Sequence, residues 1–292
     1  MKKIAIITDD NSGFTPEESK ELGIYLVRMP VLIDGETYYE HENLTTEDFY
    51  KFLAQNKDIK TSQPSPGNIL KLWDDLLVNN DQIIHMPMSS GLSESCNTAK
   101  VLANDEKYKD KVFVVDNHRI SITLKRAVFD ALNLIKDGKD AKEIKEILEK
   151  RKLNSSIYIM VDTLKYLKKG GRVTAAGAAL GATFHIKPVL QIEGGKLDAK
   201  SKEIGVKKAK IAMIKFIKED LEKRFQEKNG IKKVEYGIAY TYNRDAALEF
   251  ANDVIKAFDN KIKITLIDPL SLSVATHIGP GAIAIAISEI IE

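Results

Sequence analysis

The sequence predicts an α/β fold in two domains, the first carrying a mainly parallel sheet flanked by helices. Three observations predict it. Short β-branched runs alternate with amphipathic helical segments, the pattern of βαβ units. Helix-start residues (Thr15-Pro16, Ser65-Pro66) stand where a loop hands over to a helix. At 292 residues the chain reaches the length at which one core gives way to two. The basic, turn-forming stretch 150–155 (KRKLNS) marks the expected boundary, giving domains 1–154 and 155–292.

In the first half, 2–8 (KKIAIIT) reads as a buried strand stopped by Asp9-Asp10-Asn11-Ser12-Gly13. Thr15, Pro16 and Glu18 form an N-cap, an N1 proline and a capping box, opening a helix that runs to about Gly23. Residues 24–33 return to strand and 46–55 to helix. From Ser65, the residues Ile69, Leu70, Trp73, Leu76 and Leu77 share one helical face, so Trp73 is expected in the core. Two further strands, 82–88 and 111–116, bracket a helix over 93–103. A helical stretch over 119–136 and an amphipathic helix over 141–150 complete the domain, the latter with Ile144, Ile147 and Leu148 on its buried side.

In the second half, 157–161 is a strand, Lys168–Gly171 a turn, and 174–182 (TAAGAALGA) a run of small residues. Residues 185–192 and 195–198 suggest a hairpin around Glu193-Gly194-Gly195. A charged helix is expected over 206–228, then strand 234–241, helix 246–258, and strands 262–267 and 282–288.

Composition removes several function classes. With 44 basic and 42 acidic side chains the net charge is +2, too balanced for a protein held chiefly by nucleic-acid phosphates. The single cysteine, Cys96, excludes an internal disulfide and a metal site built on cysteine spacing. Neither a secretory signal nor an apolar run of the ~18 residues needed to span a bilayer is recognisable, so a cytoplasmic protein is expected. Phosphate-binding G-x-x-x-x-G-K-[ST], dinucleotide-binding G-x-G-x-x-G and zinc-binding H-E-x-x-H patterns are missing. Gly91-Leu92-Ser93-Glu94-Ser95 begins like a nucleophile elbow and lacks its final glycine.

Four polar or glycine-rich segments follow expected strands or precede one, where α/β proteins place ligands. They are Thr8-Asp9-Asp10, Thr61-Ser62-Gln63-Pro64-Ser65, Ser89-Ser90-Gly91-Leu92-Ser93 and His277-Ile278-Gly279-Pro280-Gly281. Hydroxyl groups beside helix-start N–H groups suit a carboxylate or phosphate. Each segment also has a plainer use: Ser65 and Ser93 fit helix N-caps. Of five histidines, only His277 lies in a Gly/Pro-flanked turn.

Taken together, TSQPS (61–65), SSGLS (89–93), Val115-Asp116, YLKKGGR (166–172), IKPVL (186–190) and HIGPG (277–281) resemble, in this order, the DegV family of fatty-acid-binding proteins. The resemblance implies two α/β domains with a long-chain fatty acid buried between them. It implies carboxylate ligands at Thr61, Ser93 and His277, no cofactor and no catalytic residue of the chain's own. The partner it implies is an ATP-binding fatty acid kinase subunit, which phosphorylates the presented carboxyl group. Arg172, with Lys168 and Lys169, would face that acidic partner or make transient contact with an anionic membrane; a monomer is expected. Departures from the family pattern are Asp10, Glu94-Ser95-Cys96 after SSGLS, Asn117 after the third strand, and Ile204 where the family often has arginine.

Burying about 14 methylenes of a C16 chain at about 0.8 kcal/mol each gives a gross term near 11 kcal/mol. The tail would therefore dominate affinity and the head-group contacts orientation. An imidazole titrating near neutrality could stabilise the carboxylate charge from His277. Two other functions fit the same residues: a serine hydrolase or esterase using Ser93 and His277, and a small-ketone-binding enzyme.

Overall fold

The computed structural model describes residues 2–179, 185–193, 196–227 and 230–291. The described chain separates into two compact units, one ending at Leu153 and the other running from Asn154 to Ile291.

The first unit runs β1 (Ile4–Asp9), a 3-10 turn (Asp10–Ser12), α1 (Pro16–Leu22), β2 (Ile24–Val27), β3 (Pro30–Ile33), β4 (Glu36–Tyr39) and α2 (Thr46–Ala54). It continues with β5 (Ile59–Thr61), α3 (Pro66–Leu77), β6 (Gln82–Met86), α4 (Ser95–Ala103), β7 (Val112–Val114), α5 (Ser121–Lys136) and α6 (Ala141–Lys150). Strands β2-β1-β6-β7 form one sheet, parallel throughout, as the alternation of strand and helix requires. On one face, Ala5, Ile7 and Ile83 pack with Trp73 of α3, Ala99 of α4 and Tyr108. Trp73 is fully buried and meets His85 and Tyr108 edge-on, at 5.7 and 5.2 Å between ring centroids. The other face is covered by α5 and α6.

Residues 24–33 are not one strand. The segment leaves the parallel sheet at Arg28-Met29, and β3 then pairs antiparallel with β4 and β5 in a separate three-stranded sheet. Buried Asp10 holds that exit: it accepts from the Arg28 guanidinium at 2.8 Å and from the Met29 N–H at 2.9 Å. Strand length alone carries no sign of this change of sheet.

The second unit contains β8 (Ser155–Met160), α7 (Lys165–Gly170), α8 (Ala175–Ala178), β9 (Ile186–Glu193), β10 (Lys196–Ile204) and α9 (Val206–Lys223). Then follow β11 (Gln226–Glu227), β12 (Gly230–Ile231), β13 (Val234–Tyr240), α10 (Arg244–Ala257), β14 (Ile264–Pro269), α11 (Leu272–Ile278) and β15 (Ile283–Glu289). Its sheet has the order β10-β9-β8-β15-β13-β14, antiparallel except at the β13–β14 pair. Met213 and Ile217 of α9 and Phe250 and Val254 of α10 are buried in one core with Tyr158, Ile238 and Ile285 from the sheet.

Four expectations change here. Residues 168–170, expected in a turn that starts at Lys168, belong instead to α7, and the chain turns only at its C-cap, Gly171, with φ +68°. The charged helix stops at Lys223 rather than 228, because Phe225 turns into the core and Gln226–Glu227 pairs with Gly230–Ile231. The strand expected over 195–198 extends to Ile204. The helix expected from Ser93 starts at Ser95. The hairpin turn at Gly194-Gly195 and part of the small-residue run, Leu180–Ala182, lie outside the described residues.

Candidate functional site

In the first unit, the loops of interest gather at the carboxyl ends of the parallel strands. Thr61 ends β5, opposite Val31 on β3, and the Ser62 N–H donates to the Pro30 carbonyl at 3.2 Å. Ser65 caps α3, accepting from the Asn68 N–H at 3.2 Å. The Thr98 hydroxyl on α4 donates to Gln63 at 3.0 Å, which ties the loop carrying Thr61 to the helix that follows Ser93.

Ser93 is half-buried and does not occupy the N-cap position assigned to it from sequence. Glu94 holds that position without a side-chain bond, while the Ser93 hydroxyl oxygen accepts the Ser95 N–H at 3.2 Å. Accepting that bond leaves the Ser93 O–H as a donor. The loop is closed by Leu92 and Ser93 N–H bonds to the Ser89 carbonyl, at 3.0 and 3.1 Å.

Asp9, from the first of the four segments, supports this loop. Its carboxyl group accepts the Met88 N–H at 2.9 Å and the Asn11 N–H at 3.0 Å. Burial, opposed by the Met88 bond and aided by neighbouring Asp10, pushes its pKa up to about 7. Beside it, Ser90 N–H donates to Asp116 at 3.4 Å, and Lys100 pairs with Asp116 at 2.7 Å. The Lys100 and Ser90 contacts outweigh desolvation and hold the Asp116 carboxyl below its usual range. Cys96, buried nearby, has its thiol pushed up to about 12 by burial, which makes it inert at neutral pH.

In the second unit, the GGR and HIGPG segments pack on each other. His277 lies in the last turn of α11 and not in the Gly/Pro turn itself, because Ser271 caps a helix over Leu272–Ile278. Gly170, at the end of α7, lies directly against its ring: a Cβ there would stand 2.1 Å from Nδ1. Gly279 lies as closely on Tyr166, where a Cβ would come within 2.3 Å of the ring. The Thr241 hydroxyl fixes the segment from below, donating to the Gly279 carbonyl at 2.7 Å and accepting the Ala282 N–H at 2.9 Å. Arg172 folds back to donate to the Gly170 carbonyl, while Lys168 and Lys169 are exposed on α7.

Burial first, and the Arg172 charge second, lower the His277 pKa to about 4. The ring is therefore neutral at pH 7, which corrects the expectation of an imidazole titrating near neutrality. It has one N–H to donate and one nitrogen to accept. Among the described residues, no cluster of three His, Cys, Asp or Glu is placed to hold a metal ion, and no helix is long and apolar enough to cross a membrane.

Asn117 and Ser95, marked by the sequence only as departures from the family pattern, are both buried next to the segments around the Ser89–Ser93 loop.

Comparison with known proteins extends these local matches to the whole chain. A fatty-acid-binding DegV family protein from Thermus thermophilus superimposes with a TM-score of 0.87 at 25% identity, covering 98% of this chain and 99% of that one. A fatty-acid-binding DegV family protein from Streptococcus agalactiae gives 0.87 at 26% identity, covering 99% of both chains. A DegV domain-containing protein of Clostridium acetobutylicum is 30% identical over 288 residues, 97% of this chain and 96% of that protein. The family described as "Uncharacterised protein, DegV family" matches residues 3–289, and the chain belongs to it.

Proposed function

We propose that the protein binds one long-chain fatty acid and presents its carboxylate to an ATP-binding kinase subunit, without catalysing a reaction itself. The observation that carries the reading is the likeness, over 98–99% of the chain, to two proteins named for fatty acid binding. Thr61, Ser93 and His277 are the proposed carboxylate ligands. Each is only half-buried and is of a type, hydroxyl or imidazole, that can donate to an anionic head group. In the kinase step the carboxylate oxygen attacks the γ-phosphorus of ATP, ADP leaves, and an acyl phosphate forms. The attacking group must be ionised, which burial alone opposes. A neutral His277 donates one hydrogen bond to it and, facing a carboxylate, gains proton affinity.

Arg172, with Lys168 and Lys169, is the proposed meeting surface for the acidic face of the kinase subunit or for transient membrane contact. Ile204, 66% exposed at the end of β10, gives no charge to such a surface. The proposed working form is a cytoplasmic monomer.

Native mass spectrometry of the purified protein tests the reading. A single C14–C18 fatty acid per chain is expected, and Thr61→Ala/Ser93→Ala should weaken its binding. A protein that neither carries nor takes up fatty acid, and whose ester hydrolysis is lost in Ser93→Ala, would establish the hydrolase instead.

A further inference from the structure

Of the large apolar side chains that stand exposed among the described residues, three lie within eight residues of one another: Ile204 (66%), Val206 (42%) and Ile211 (58%). Ile204 ends β10 and Val206 opens α9; Gly205 between them, at φ +82°, makes the turn from strand to helix. β10 is an edge strand of its sheet, and Lys202 lies on the same side of it as Ile204. Within α9, Ala209, Met213 and Ile217 face the core. Ile211 is on the opposite face, where its helix neighbours at i−4, i−3 and i+4 are Lys207, Lys208 and Lys215, all exposed.

Charge gathers on the same stretch. Residues 202–218 hold six lysines against one acid, Glu203, a net +5 in a chain whose total is +2. The other residues therefore sum to −3, so the basic excess of the chain is local. Internal contacts use part of it: Lys210 pairs with Glu249 at 3.5 Å, Lys215 with Glu219 at 3.7 Å, and Lys218 donates to the Ala257 carbonyl. Lys202, Lys207 and Lys208 have no ion pair or side-chain hydrogen bond among the described residues. Helix stability does not account for Lys207 and Lys208 either, since lysine is unfavourable in the first turn, at the positive end of the helix dipole.

Aliphatic side chains set among unpaired lysines suit a lipid surface better than a protein. Lysine is depleted at protein interfaces, where arginine and aromatic rings carry the contact. At an anionic bilayer the lysine stems lie along apolar neighbours while the ammonium groups reach the phosphates. We infer that Ile204, Val206 and Ile211, with Lys202, Lys207 and Lys208, form a docking surface for an anionic lipid bilayer. Membrane contact then belongs to this strand–helix junction and not to Lys168, Lys169 and Arg172. The inference does not depend on a bound fatty acid.

Flotation of the lipid-free protein with vesicles of phosphatidylcholine, alone or mixed with phosphatidylglycerol, tests it. The parent should float with the mixed vesicles only, and less as salt rises. Lys207→Glu/Lys208→Glu should weaken that binding at least about tenfold. Ile204→Ser/Ile211→Ser should weaken it at least about threefold. Both variants should keep the parental melting temperature, because all four residues are exposed. In Ile211→Cys a polarity-sensitive thiol dye labels position 211 alone, since Cys96 is buried, and its emission should shift to the blue on mixed vesicles. A parent that does not float overturns the inference and leaves an acidic protein as the occupant. An unshifted dye, or a loss of flotation in Lys168→Glu/Lys169→Glu that Lys207→Glu/Lys208→Glu does not share, also overturns it. None of these results bears on fatty acid binding, which native mass spectrometry decides separately.

Discussion

Gly170 and the ring of His277 are in such close approach that no side chain fits between them: a Cβ on residue 170 would lie 2.1 Å from Nδ1. The second glycine of the pair, Gly171, serves a different need, closing α7 with φ +68°. The GG dipeptide is thus two separate requirements, one of space and one of backbone angle.

Gly170→Ala should displace the His277 ring and cost about 1–3 kcal/mol, the range for overpacking a filled site. Urea unfolding gives the loss, and the imidazole NMR signals of His277 should move. Signals and stability that both match the parent would mean the ring is not held there.

Gly279→Ala should be worse, because it adds a clash with Tyr166 at 2.3 Å to a φ of +80°. Combining it with Tyr166→Ala relieves the clash but not the backbone strain, so only part of the stability should return. Full recovery in the double variant would show that the angle carries no cost.

His277 should titrate near pH 4, and Arg172→Gln should raise that value by removing a nearby positive charge. The folded pKa lies below the ordinary value of 6.5, so the unfolded chain binds the proton more readily. Stability from this residue is present above pH 6.5 and declines as pH falls towards 4. NMR titration of the lipid-free protein measures both values; a midpoint near 6.5 in the parent would contradict the burial argument.

Asp9 acts in the opposite direction. Its pKa rises from 3.8 to about 7, so the folded state holds the proton and stability falls as pH climbs between those values. The contribution is on the order of 4 kcal/mol at full development. Asp9→Asn should flatten the stability profile from pH 4 to 7, at the expense of one of the bonds to Met88 and Asn11. An unflattened profile in a folded variant would assign the dependence to other groups.

Much of the first unit was legible because its signals are local. Thr15, Pro16 and Glu18 make the capping box that their spacing calls for, and Trp73 lies in the core its helical face implies. What the sequence concealed depends on distant partners. The one local mark of a division within residues 24–33 is Pro30, which cannot donate to a ladder and opens β3; buried Asp10, 18 residues from Arg28, anchors the break. α11 was missed because Leu272–Ile278 is short and buried on most sides, which leaves no amphipathic period to read. Likewise the burial of Asn117 and Ser95 comes from packing that no local motif announces.

Strand β15 lies inside its sheet, between β8 and β13, although it is the last strand in order. During synthesis, β8-β9-β10 and β13-β14 can each pair early, yet each presents an open edge until residues 283–289 have left the ribosome. About 120 residues separate β8 from β15, so at roughly 5–20 residues per second that edge waits on the order of 6–25 seconds. For most of that interval the edge of β8 is open, and β13–β14 joins it only shortly before β15 emerges. A chain cut short before residue 283 would have a second unit with the parts of a sheet and no strand to unite them.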